Sequence, residues 1–145
     1  MQFTRNRTEF DINDSNVKYI HLRWDNLESH SGGATICYYL DFETKDIYFN
    51  YSVCSYGDNF NRRIGREISL GRLQYSYVQV KLDKEIRYKN CCEAIENHFL
   101  KYTINDPEFD PFHDKFSRII IGLFLDRKTD YAVSDKYCPF TYGLF

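Results

Sequence analysis

ATICYYLDFETKDIYFNYSVC, residues Ala34 to Cys54, holds two runs in which large apolar side chains take alternate positions. Ile36, Tyr38 and Leu40 do so in the first run, and Ile47, Phe49, Tyr51 and Val53 in the second. Successive side chains of a strand point to opposite faces, so each run gathers its apolar set on one face. The intervening Glu43, Thr44 and Lys45 are short enough for a hairpin. The stretch therefore predicts the middle of an antiparallel meander, one face on the core and the other covered or wet.

Outward from this hairpin the chain supplies the remaining elements. VKYIHLRW, Val17 to Trp24, alternates as a strand, and NLESHSGG, Asn26 to Gly33, reads as a loop. YSYVQVKL, Tyr75 to Leu82, alternates again. KNCCEAIENHFLKY, Lys89 to Tyr102, has no Gly or Pro inside it and reads as a helix burying Cys92, Ile95, Phe99 and Tyr102. FSRIIIGLFLDRK, Phe116 to Lys128, divides between helix spacing at Phe116, Ile120, Leu123 and Phe124 and the strand preference of three consecutive isoleucines, with the spacing favouring helix. TINDPEFDPFHD, Thr103 to Asp114, carries two prolines among acidic side chains and reads as an exposed connection. The aromatic tail, Tyr131 to Phe145, is expected to pack on the sheet or on a neighbouring subunit. With 145 residues and no repeat or break in composition, residues 1–145 predict a single α+β domain, an antiparallel sheet meander packed by two or three helices.

Composition narrows the function. Lys and Arg number 19 against 21 Asp and Glu, a net charge of −2, which argues against bulk attraction to nucleic acid, so any anion site has to be local. Cys37, Cys54, Cys91, Cys92 and Cys138 form no C-x-x-C spacing and are odd in number, which argues against a zinc site or a disulfide framework. MQFTRNRTEFD at the start lacks the apolar run of a signal peptide, and the longest apolar run, Ile119 to Leu125, falls far short of the roughly 20 residues that span a bilayer. A cytoplasmic protein with reduced thiols and no membrane association is expected.

The segment with functional character is DNFNRRIGREISLGRL, Asp58 to Leu73. Asp58 is a suitable N-cap, and Phe60, Ile64 and Ile68 recur every four residues as an apolar stripe. On a helical wheel Arg62 and Arg66 fall on the opposite side, next to a lane without bulk at Gly65 and Ser69. Arg63 has Glu67 four residues on and reads as a surface ion pair. Arg72 also suits the negative pole of the helix. Arg62 and Arg66, with Arg72, Asn59, Asn61 and the ring of Tyr56, are the candidate ligand-binding residues. Guanidinium donates paired, charge-assisted hydrogen bonds, and helix N-terminal amides favour negative charge, so the ligand implied is a phosphate. An amphipathic helix whose solvated face carries arginines remains the plain alternative.

CSYGDNFNRRIGREISLGRL, Cys54 to Leu73, resembles a signature of small bacteriophage proteins in the Thoeris anti-defence sponge family, with agreement in Gly65, Arg66, Gly71 and Arg72 and with Ser69 where the pattern has alanine. The resemblance covers only this segment. It implies a homo-oligomer in the host cytoplasm that sequesters a cyclic nucleotide or ADP-ribose-type signal without cleaving it, arginines on phosphates and aromatics on bases.

No P-loop, G-x-S-x-G, H-E-x-x-H or paired H-x-T motif is present, so no catalytic residue, cofactor or metal is assigned and a non-enzymatic protein is expected. His21 and His98 read as structural, and His113 beside Asp110 and Asp114 as part of a solvated loop. Arg23 beside Trp24 is a distant candidate for nucleotide stacking, weakened because neighbours on a strand face opposite ways. The segments flanking the arginine helix are not basic, which disfavours duplex DNA as a partner. The second functional reading is an inhibitor that docks on a host defence protein, in the manner of anti-CRISPR proteins, with the arginines structural or at the interface.

Overall fold

The computed structural model describes residues 12, 15–23, 31–101 and 119–124. They form β1 (Lys18–Leu22), β2 (Ser31–Leu40), β3 (Asp46–Asn59), α1 (Arg62–Leu73), β4 (Val78–Lys81) and α2 (Tyr88–Leu100). Residues 119–124 are also helical. The strands make one sheet in the order β1-β2-β3-β4, antiparallel throughout, and helices pack on it to give an α+β fold. Among the described residues no helix is long and apolar enough to cross a membrane.

Alternation in β2 and β3 sets the register. Ile36 faces Tyr51, Tyr38 faces Phe49 and Leu40 faces Ile47, so both apolar sets share one side of the sheet. The β2–β3 turn is closed by Asp41, whose backbone N–H donates to Asp46 O at 2.9 Å and whose carboxylate accepts from Glu43 N, also at 2.9 Å. Lys45 completes it with a left-handed φ of 61°. Ile20 and Leu22 from β1 and Val78 from β4 extend the apolar side. Against it pack Cys91, Ile95 and Phe99 of α2 and the buried residues 119–121, 123 and 124. Phe99 is the hub, with ring centroids 5.6 Å from Phe49, 5.7 Å from Tyr51 and 5.9 Å from Phe124.

Several boundaries differ from the sequence reading. Ser31, Gly32 and Gly33 belong to β2 rather than to a loop, through a register irregularity against β3. Gly33 has φ 143°, and a Cβ there would lie 2.6 Å from Leu22 O and 2.8 Å from the Phe60 ring. The glycine therefore lets the Phe60 ring approach the backbone of β2 closely. In α2 the buried positions are Cys91, Ile95, Glu96 and Phe99, with Cys92 only half-buried. The expected helix over Phe116 to Lys128 is present where described, at 119–124. The acidic connection, the aromatic tail, Trp24, His30, His113, Cys138 and Tyr102 lie outside the described residues.

Candidate functional site

The other side of the sheet mixes short polar side chains with aromatic and small apolar ones. Along it run Tyr19 and His21 of β1, Thr35 and Cys37 of β2, and Tyr48, Asn50 and Ser52 of β3, paired across the strands as His21 with Thr35, Thr35 with Ser52, and Cys37 with Asn50. Helix α1 covers this side, and the manner of its packing overturns the expected orientation. Ile64 and Ile68 are 49% and 42% exposed, whereas Ser69 is fully buried. The lane of small residues, not the apolar stripe, faces the sheet.

Hydroxyl chemistry explains the choice. The Gly65 carbonyl accepts from Ser52 Oγ at 3.1 Å and from Ser69 Oγ at 2.7 Å. A Cβ on Gly65 would collide with Thr35 Oγ1 and come within 3.0 Å of Thr35 Cβ. Thr35 and Ser52 are themselves buried, so bulky aliphatic side chains over them would leave their hydroxyls unsatisfied. Further along, Leu73 is buried with Val17 and Cys37, and Asn50 Nδ2 donates to Ser76 O at 2.8 Å. The helix also begins later than expected. β3 runs on through Asn59, paired with Ser31, and the N-cap is Asn61 rather than Asp58, its side-chain oxygen accepting from Ile64 N at 3.0 Å.

This rotation moves Arg62 and Arg66 to the rim of the helix–sheet contact. Arg62 is exposed and Arg66 half-buried, and among the described residues neither pairs with a carboxylate. Beside them sits His21. Its Nδ1 is 2.9 Å from Thr35 Oγ1, its ring stacks on Tyr19 at 6.4 Å and meets Phe60 edge-on at 6.0 Å. Burial first, then the cations Arg62 and Arg66, hold its pKa below the usual histidine value. The Arg23 guanidinium lies over the other part of this cluster, 5.0 Å from the Phe60 ring centroid. Phe60 thus meets one guanidinium and the imidazole, and the imidazole in turn feels Arg62 and Arg66, near the N-terminal, electropositive end of α1.

The remaining candidates have other duties. Arg72 Nη1 donates to Tyr51 O at 2.9 Å and ties the helix end to β3. Asn61 is used as the cap. Asn59 is exposed and its carbonyl accepts from Cys54 Sγ at 3.5 Å. Tyr56 falls within β3, and its side chain is outside the described residues. Arg63 pairs with Glu67 at 3.5 Å, both ends exposed, as the spacing predicts. Arg66 also borders a shallow cavity of about 340 Å³ with Arg63, Glu67, Leu70, Gly71 and Gln74.

His21, Thr35 and Phe60 were not legible as site residues. The available signal was the run of short polar side chains, Thr35, Asn50 and Ser52, at positions where a solvated face would carry longer ones. No group of metal-binding side chains occurs among the described residues. No family model, curated protein or solved structure matches the chain.

Proposed function

We propose that the protein is a non-enzymatic binding protein that captures a phosphate-bearing nucleotide signal, cyclic or of the ADP-ribose type, and holds it without cleavage, as a bacteriophage counter-defence protein in the host cytoplasm would. One observation carries this reading: among the described residues Arg62 and Arg66 are uncommitted to carboxylates, and both act on His21, whose ring meets Phe60. Guanidinium pairs grip phosphate oxygens bidentately. The limited likeness of Cys54 to Leu73 to the Thoeris anti-defence sponges points the same way.

Assembly belongs to the same proposal. Ile64 and Ile68 are exposed on one stripe of α1, with Gly71 beyond them where an added Cβ would meet nothing within 4 Å, and Tyr75 is exposed just after the helix. A second copy laid on this stripe would bury it, on the side of α1 away from Arg62 and Arg66.

Thermal melting against ADP-ribose, cyclic ADP-ribose and cyclic di- and trinucleotides tests the reading. A ligand at a hundred times its dissociation constant stabilises by about 2.7 kcal/mol. The shift should vanish in the Arg62→Ala, Arg66→Ala double variant and persist in Arg63→Ala. No shift with any of these would sink it. The second reading, docking on a host defence protein, draws support from a different place, an apolar cavity of about 420 Å³ at the start of α2 bordered by exposed Phe42, Ile86 and Tyr88. Under that reading Phe42→Asp would abolish partner capture while the arginine variants would not.

A further inference from the structure

We infer that His21 is a third contact for the anion held by Arg62 and Arg66, and that it takes up a proton as the anion enters, so that capture tightens as pH falls. This rests on the nucleotide-binding reading above. The geometry behind it is a short chain of contacts. Thr35 Oγ1 abuts Gly65 and holds His21 Nδ1 at 2.9 Å, and Arg62 and Arg66 flank Gly65 on the same turn of α1. The imidazole is therefore fixed next to the two guanidinium groups rather than swinging past them, with Tyr19 stacked on it and Phe60 at its edge.

A threonine hydroxyl both donates and accepts. Thr35 can give its proton to a bare Nδ1 or accept one from a protonated Nδ1, so the ring keeps its place in either charge state and leaves Nε2 for a ligand. Around the ring stand Tyr19 of β1, Thr35 of β2, Phe60 with Arg23 over it, and Arg62 and Arg66 of α1. On its far side His21 borders a cavity of about 400 Å³ shared with Lys89, Glu93 and Glu96 of α2, where Glu93 is matched by Lys84 at 3.4 Å.

In the free protein, burial and the two arginines disfavour the protonated form of His21. An anion seated between Arg62 and Arg66 cancels their repulsion and attracts the proton, so the bound state has the higher pKa. Binding then takes up a proton in the window between the two values, and affinity rises as pH falls across it, by up to roughly tenfold per pH unit.

Isothermal titration calorimetry with sulfate and with ADP-ribose, whose charges are constant between about pH 5 and 8, measures the effect in buffers of different protonation enthalpy. Expected are net proton uptake on binding and tighter binding at the acid end. His21→Gln should bind with no uptake and a flat pH profile, and Thr35→Ser, which keeps the hydroxyl, should behave as the parent. Should His21→Gln not fold, imidazole NMR of the parent protein with and without sulfate decides, the His21 pKa being required to rise. ADP-ribose binding without proton uptake, or with uptake unchanged in His21→Gln, overturns this inference and leaves the binding reading standing. Absence of binding by both probes at every pH overturns the binding reading and this inference with it.

Discussion

Replacing Gly65 with alanine sets two opposing effects against each other. Alanine in a helix interior is favoured over glycine by about 0.8–1 kcal/mol. Here its methyl would run into Thr35 Oγ1, with Thr35 Cβ only 3.0 Å away, and neither atom lies at the end of a long side chain that can swing aside. Overpacking of this kind costs about 1–3 kcal/mol. Lifting the helix also lengthens the Ser52–Gly65 hydrogen bond, now 3.1 Å, a further loss of about 1 kcal/mol. The net result is a destabilisation of about 1–3 kcal/mol, or a fall in Tm of about 3 °C per kcal/mol for a chain of this size. Gly71→Ala, two turns along, meets open space and should stabilise by up to about 1 kcal/mol. The assay is urea unfolding of both variants at low protein concentration, with Thr35→Ala as the second arm of a double-mutant cycle. Removing Oγ1 should relieve part of the Gly65→Ala penalty, a coupling of at least about 0.5 kcal/mol. If Gly65→Ala stabilises as much as Gly71→Ala, the helix does not lie on Thr35, and the apolar stripe faces the sheet after all.

Ile68→Ser should cost less than about 1 kcal/mol in the monomer, against 2–5 kcal/mol for truncating a buried aliphatic, while lowering the assembly state seen by light scattering. Asn61→Ala removes the acceptor for Ile64 N and should cost about 1 kcal/mol in chemical denaturation, whereas Asp58→Ala should leave the helix cap intact. Burial, helped by Lys101, pushes His98 down to about 4, below its unfolded value of about 6.5. The unfolded chain therefore binds the extra proton between those values, so stability is full above about pH 6.5 and falls as pH drops towards 4. His98→Gln should flatten that part of the stability profile measured by urea midpoint.

Where one side of an element meets apolar neighbours, periodicity was sufficient. The alternation of Ile36, Tyr38, Ile47 and Phe49 gave strands, a hairpin and a shared face, and the spacing of Ile95 and Phe99 gave the buried stripe of α2. The same rule misoriented α1. It takes the most apolar stripe of a helix to be the buried one, which fails when the receiving surface is made of Thr35, Asn50 and Ser52. Such a surface is satisfied by close backbone and hydroxyl contact, for which Gly65 and Ser69 are suited and Ile64 and Ile68 are not. The start of the helix was misplaced for a related reason. Asp58 and Asn61 are both good caps, and only the pairing of Asn59 with Ser31 decides between them. Arg62 and Arg66 were legible as a pair, but His21 joins them through β1 and β2, a neighbourhood created by tertiary packing alone.

The central proposition is that Arg62 and Arg66, with His21, receive a phosphate-bearing guest. Protein purified from cells that make cyclic-nucleotide signals can be denatured and the released small molecules weighed by mass spectrometry. An intact nucleotide in stoichiometric amount, absent from the Arg62→Ala, Arg66→Ala protein, is the outcome required. Recovery of no nucleotide, of hydrolysed fragments only, or of equal amounts from parent and variant would contradict it.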